Sequence, residues 1–205
     1  MSSLKSRLNM HFTACAAVAA TAVAAAPQQA EATIQWSGAI NINIPSTTAG
    51  VYVNIQTGAF GTAAGTPGWD VNPWGSSGLG FFNPSAPAGG VYAGSGGVVA
   101  NLTAGTLISA ATTWTAGLNT TGAPWTLNSS NNLVGFRFND GGGNLRYGWM
   151  RLSLAGSLIA QPRAIVEYAY EDSGAGINAG AIPAPGAVAL LGAAGLMGSR
   201  RRRSA

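Results

Sequence analysis

The chain has 205 residues, 47% of them hydrophobic and only 8% charged, with 30 glycines and 10 prolines. So apolar and weakly charged a sequence is neither a disordered segment nor a polar linker, and its charge fraction lies far below the roughly 25% of an ordinary soluble domain. The net charge of +4 and pI near 9.7 suggest a nucleic-acid or membrane-surface partner only until the charges are located.

Lys5 and Arg7 lie at the start and Arg200, Arg201, Arg202 and Arg203 at the end, so the termini hold six of the ten basic residues. Between Thr33 and Ala181, Arg137, Arg146, Arg151 and Arg163 stand against Asp70, Asp140, Glu167, Glu171 and Asp172, a balance of −1. A body without lysine and with that balance offers no phosphate-neutralising surface, which excludes nucleic acid as partner.

Residues 1–32 read as a secretory signal peptide: the basic Lys5 and Arg7, an apolar run over 12–26, and Ala30-Glu31-Ala32, an A-x-A site for signal peptidase. Cleavage is expected after Ala32, leaving Thr33 as the new N-terminus. The run of about 15 residues falls short of the roughly 20 that span a bilayer. Cleavage removes His11 and Cys15, the only His and Cys.

The passenger, 33–181, is about 149 residues long, one domain's worth. Runs rich in Val, Ile, Thr and aromatics at 33–37, 39–44, 51–56, 98–102, 106–110, 133–139, 144–154 and 164–170 alternate with Gly/Pro/Asn/Ser clusters, and no window of helical length carries an apolar stripe. Ile40, Ile42 and Ile44 share one face of their run, and Val134, Phe136 and Phe138 share one of theirs, as in half-buried antiparallel strands. In 144–154 the apolar set changes phase between Trp149 and Leu152, which a bulge near Met150–Arg151 explains. Asn139-Asp140-Gly141-Gly142-Gly143-Asn144 is a hairpin turn, since Gly, Asn and Asp accept positive φ. The fold class expected is all-β, an antiparallel two-sheet sandwich, jelly-roll-like. Residues 57–97 stand apart as a Gly/Pro-rich excursion, expected to be ordered, surface-exposed and to carry two short strands around Phe81-Phe82 and Val91-Tyr92.

The residue inventory limits the chemistry. Without His, Cys or Lys the passenger has no Ser-His-Asp or Cys-His machinery, no thiolate or imidazole zinc site and no Schiff-base lysine. A carboxylate pair of the glycosidase type drawn from Asp70, Asp140, Glu167 and Glu171 is the remaining enzymatic alternative. Glu167, on a face with Ile165 and Ala169, is read first as a solvated strand residue or a partner of Arg146 or Arg151. Asp140 with Asn139 and Asn144, or Glu171-Asp172, supplies oxygens but not a calcium-loop spacing, so no metal and no cofactor is expected. Of six tryptophans, Trp36 and Trp149 sit on alternating strands and read as core. Trp69 and Trp74, in the excursion, are the candidates for stacking on sugar rings, the means by which a nearly uncharged surface holds neutral polysaccharide.

At the C-terminus Ile182-Pro183-Ala184-Pro185 leads into the apolar run 186–199 and then Arg200–Arg203. A proline spacer, a short hydrophobic segment and terminal arginines form a stop-transfer arrangement with the arginines cytoplasmic. This tail, PAPGAVALLGAAGLMGSRRRR, resembles the PEP-CTERM sorting signal of Gram-negative and related bacteria. The resemblance implies that Pro183, Ala184 and Pro185 take the place of the Pro-Glu-Pro motif, with Ala184 where the family has Glu. Residues 186–199 would be the transmembrane helix and Arg200, Arg201, Arg202 and Arg203 the retention cluster, so that 182–205 is read by an exosortase at the inner membrane. The stretch VGFRFNDGGGNLRYGWMRLSL, followed by IVEYAYEDSGAGINAG, resembles the region preceding that signal in many PEP-CTERM proteins, with Arg146 where a His usually precedes Y-G-W.

The sequence thus leads to an exported, non-enzymatic β protein. It is first held at the inner membrane and then sorted to the cell envelope or extracellular matrix, with a structural or polysaccharide-associated role. A carboxylate-based glycan-active enzyme and an unprocessed C-terminally anchored surface protein are the alternatives.

Overall fold

The computed structural model describes residues 33–63, 65–116 and 125–183. The segment expected to be a signal peptide, most of the expected sorting tail and the helices expected in both lie outside the described residues. Among the described residues there is no helix, and every strand pairing is antiparallel.

In chain order the strands are β1 (Ile34–Trp36), β2 (Ile42–Asn43), β3 (Tyr52–Val53), β4 (Phe60–Gly61), β5 (Asn72–Trp74), β6 (Gly80–Phe82) and β7 (Tyr92–Ser95), then β8 (Val98–Val99), β9 (Leu107–Ile108), β10 (Trp114–Thr115), β11 (Ser129–Asn139), β12 (Leu145–Leu154), β13 (Ala164–Glu171) and β14 (Ile177–Asn178). The main sheet runs β1-β13-β12-β11-β7-β10, with β2 also on β13 and β8 on β7, while β3–β4, β5–β6 and β9–β14 form separate pairs.

The three long strands organise the core because both their faces are covered. Val134, Met150 and Tyr168 stand in cross-strand register on one face, and Gly135, Trp149 and Ala169 on the other. The first face joins Ile42, Ile44, Val53, Val71, Phe81, Tyr92 and Phe136 in the larger cluster; the second joins Ile108, Ile177 and Ala179 in the smaller. Two-sided burial explains the apparent change of phase in β12, whose alternation is in fact unbroken. Tyr147 and Trp149 serve the smaller cluster and Met150, Leu152 and Leu154 the larger.

The bulge lies across from the expected place. Arg151 pairs with Glu167 but Leu152 with Ile165, so the extra residue is Val166 of β13, whose carbonyl takes the N–H groups of both Ile40 and Asn41. Because of that extra residue Ile165 joins the larger cluster while Glu167 stays with Ala169, which corrects the expectation that all three share a face.

The excursion departs most from expectation. Residues 57–97 hold β4, β5, β6 and β7, and Val71, Leu79, Phe81, Val91 and Tyr92 are each at most 2% exposed. Its two- to four-residue strands are too short to display a period, so its scattered apolar residues read as loop although they close the larger cluster. Gly50 shows the tightness of the fit: its φ is +66° and a Cβ there would collide with the Cβ of Trp74.

Candidate functional site

Two adjoining clefts meet at Gln56. One, of about 200 Å³, is lined by Gln35, Trp36, Ser37, Tyr168 and Tyr170 from β1 and β13, and by residues 55–58. The other, of about 190 Å³, is lined by Asn54, Gln56, Gly68, Asp70, Phe138, Asn139, Asp140 and Gly141.

The turn between them is fixed by three side chains. Asn54 folds it locally: its Oδ1 accepts the Thr57 N–H at 2.9 Å, and its Nδ2 reaches the carbonyls of Pro67 and Gly68. Such Asx turns satisfy backbone groups that a two-residue strand leaves open. Asp70 anchors it from below, its Oδ2 accepting the Ile55 N–H at 2.7 Å. Gln56 closes the turn against the β11–β12 hairpin by accepting the Gly141 N–H at 3.0 Å.

The walls follow from strand alternation. Gln35 pairs with Tyr170 and Ser37 receives the Tyr168 N–H, so these side chains share the face toward the turn. Trp36 lines the cleft at the strand edge while its indole belongs to the opposite face, where Nε1 donates to Glu167 Oε2 at 2.9 Å. It is 44% exposed and so is not the core residue its alternation suggested. Trp149, at 0%, is core as read.

Two carboxylates expected from the sequence come together in the second cleft in opposite states. Asp70 is buried, and loss of hydration raises its pKa to about 7 against the lowering effect of the Ile55 N–H. Asp140 is lowered to about 2, chiefly by the Asn144 N–H, with Arg146, the Asn144 side chain and the Gly142 N–H adding to it. Its Oδ1 accepts from the Gly142 and Asn144 N–H groups and its Oδ2 meets Arg146 at 2.7 Å. Turn geometry and one arginine thus occupy the oxygens that a metal ion or a catalytic base would need. Glu167 pairs with Arg151 at 2.6 Å, one of the two partners expected for it. Glu171, 1% exposed, accepts the Ser173 N–H.

Trp69 and Trp74 lie elsewhere. Trp69 stands edge-on to Tyr52 (centroids 4.9 Å apart) and stacks on Phe82 (5.7 Å, 21°), a row ending in Phe82 at 44% exposure. Trp74 lies over Gly80, where a Cβ would come within 3.0 Å of the indole, so its ring face is occupied. Neither lines the two clefts. Pro183 is exposed, Ala30 and Ala32 precede the described residues, and Ala184, Pro185 and the four arginines follow them.

Sequence reasoning passed over Asn54, Gln56 and Arg163. The first two are amides in a featureless polar stretch. Arg163 entered the sequence reading only through the charge balance, but it is 0% exposed and, among the described residues, donates to the carbonyls of Ile44, Pro45, Gly75, Gly78 and Leu158, tying their loops together.

No helix among the described residues is long and apolar enough to cross a membrane. Comparison with protein-family models, with curated proteins and with solved structures finds no match.

Proposed function

We propose that the chain is an exported, non-enzymatic protein of the cell envelope or extracellular matrix whose β domain holds neutral polysaccharide in the groove on either side of Gln56. The observation that carries this is the lining. Tyrosine rings, side-chain amides and hydroxyls dominate, and of the two carboxylates there one has its pKa raised to about 7 by burial and the other is paired with Arg146. Rings offer a face to sugar C–H groups and amides offer both donors and acceptors. The larger cluster, shared between the main sheet and the short pairs, supports reading the domain as a jelly-roll-like two-sheet sandwich.

The tail motif supports sorting by an exosortase after anchoring at the inner membrane, and the A-x-A site supports release by signal peptidase. A tagged protein should be shorter at both ends when recovered from the envelope or medium, and should remain membrane-bound in cells without the exosortase. An unchanged full-length membrane form in both strains would leave only a plain anchored protein.

For binding, the full chain is applied to an array carrying cellohexaose, maltohexaose, mannohexaose and xylohexaose. Binding that weakens in Gln56→Ala and Tyr170→Ala, and persists in Trp69→Ala, places the glycan in the groove. Loss in Trp69→Ala or Trp74→Ala alone moves it to the excursion, and no binding to any sugar leaves an inert matrix protein.

One observation favours the glycan-active alternative: Asp70 and Asp140 line one cleft with their acidities pushed apart, as in acid/base pairs. Against it stands the saturation of Asp140. Release of reducing ends from the same four sugars, abolished by Asp70→Asn and by Asp140→Asn, would replace the binding reading with the enzymatic one.

A further inference from the structure

The two oxygens of Asp70 are in different situations. Oδ2 accepts the Ile55 N–H at 2.7 Å. Oδ1 has no donor among the described residues and is not one of the buried unpaired oxygens. It therefore meets solvent, although the residue as a whole is only 8% exposed. The space Asp70 borders is the cleft it shares with Asn54, Gln56, Asn139 and Asp140. With Oδ2 committed to accepting, a proton retained by the carboxyl sits on Oδ1 and makes it a donor.

Resting on the reading of the groove as a glycan site, we propose that this cleft is a second subsite, taking the sugar ring next to the one held by Tyr168 and Tyr170, and that the Asp70 carboxyl donates there to a hydroxyl oxygen of a neutral oligosaccharide. Gln56 lines both clefts and so touches both rings. The ligand class is a chain of at least two neutral rings, not a monosaccharide.

Proton linkage supports the assignment. The pKa of Asp70 already lies at about 7 through burial. A ring seated over it excludes more water and favours the neutral form further, so affinity is highest with the proton in place and falls as pH rises through 7. Around Asp70, Asp140 is held at about 2 by partners that include Arg146. Tyr92, Tyr168 and Tyr170 are all raised above the ordinary tyrosine value, mainly by burial and in part by the charge of Asp70. None of these groups changes charge between pH 5.5 and 8.5.

The test measures affinity of the full chain for whichever of the four hexasaccharides binds on the array, and for its shorter homologues down to the monosaccharide, at pH 5.5 and 8.5. Wild type should bind the hexasaccharide at least about fivefold more weakly at pH 8.5 than at pH 5.5, with a gain in affinity between one ring and two or more. Asp70→Asn keeps an acceptor for Ile55 and a donor on the other side, so it should bind at both pH values about as wild type does at pH 5.5. Asn139→Ala, at the exposed end of β11, should lose the gain from the second ring and bind the monosaccharide unchanged, and it serves if Asp70→Asn does not fold.

Hexasaccharide binding with no pH dependence, or with the same dependence in Asp70→Asn, overturns the role of Asp70. Affinity equal for one ring and for six overturns the second subsite. In either case a loss of binding in Gln56→Ala leaves the groove reading standing. No binding of any sugar at either pH overturns the groove reading and this inference together.

Discussion

The backbone nitrogen of Thr33 lies 3.1 Å from Asp172 Oδ1. The same carboxylate accepts the Gln35 side chain at 2.9 Å through Oδ2, and the Asp172 N–H returns to the Thr33 carbonyl. An amide N–H at Thr33 makes an ordinary hydrogen bond there. Cleavage after Ala32 would turn the same nitrogen into an ammonium group, and the contact into an ion pair at the open edge of β1.

The mature protein beginning at Thr33 should therefore lose about 0.5–1 kcal/mol on Asp172→Asn, measured by denaturant unfolding at pH 6. The loss should shrink above pH 8, where an α-amino group of ordinary acidity gives up its proton. A mature N-terminus other than Thr33, read by mass spectrometry, would remove the ion pair along with the cleavage assignment.

Asp70 gives stability a pH dependence of unusual sign. Its pKa is raised from 3.8 to about 7 on folding, so between those values the unfolded chain releases a proton that the folded chain keeps. Stability is full below about pH 4, falls as pH rises toward 7 and levels off above it. The difference is at most about 4 kcal/mol by linkage. Asp140 is lowered on folding and acts in a separate window, its contribution present above pH 4 and lost as pH falls toward 2. Unfolding free energies at pH 4, 5.5 and 8 should decline in wild type and stay level in Asp70→Asn.

Arg163 holds five carbonyl groups from three loops and has no carboxylate partner among the described residues. Arg163→Met fills the volume and leaves those acceptors bare. A loss of at least about 3 kcal/mol is expected, since each orphaned buried acceptor costs about 1–3 kcal/mol before relaxation. Arg163→Lys should recover only part of it, because an ammonium group lacks the planar fork. A thermal midpoint within about 2 °C of wild type for Arg163→Met would show that water satisfies the loops instead.

Gly148, between Tyr147 and Trp149, pairs with Phe136 on one side and Tyr170 on the other. A Cβ there would come within 2.5 Å of the Phe136 ring and 2.7 Å of the Ala169 carbonyl. Gly148→Ala should cost about 1–3 kcal/mol by overpacking. Gly148→Ala combined with Phe136→Leu should lose less than the sum of the two changes, a coupling read from a double-mutant cycle.

The sequence was most legible where a pattern repeats. Val134, Phe136 and Phe138 alternate, Asp140 and its glycines turn, and β11, β12 and β13 form where expected, because alternation over seven or more residues and a local turn are short-range properties. The same rule misplaced Trp36, whose alternation matches that of Trp149. Both fall on one face of the sheet, but Trp149 is covered by Ile108, Ile177 and Ala179, and Trp36 stands at an edge with Glu167.

Composition and charge placement by themselves determined that residues 33–181 lack the side chains for imidazole, thiol or lysine chemistry and that the net positive charge of the chain belongs to its two ends. Only the tertiary structure decided that Asp70 and Asp140, 70 residues apart, border one cleft, and that Asn54 and Gln56 shape it. It also decided that the Gly/Pro-rich stretch closes the core. The physical reason is range. Strand periodicity is written into neighbouring residues, whereas burial and shifted acidity depend on what a long-range fold brings to each side chain, which no local window contains.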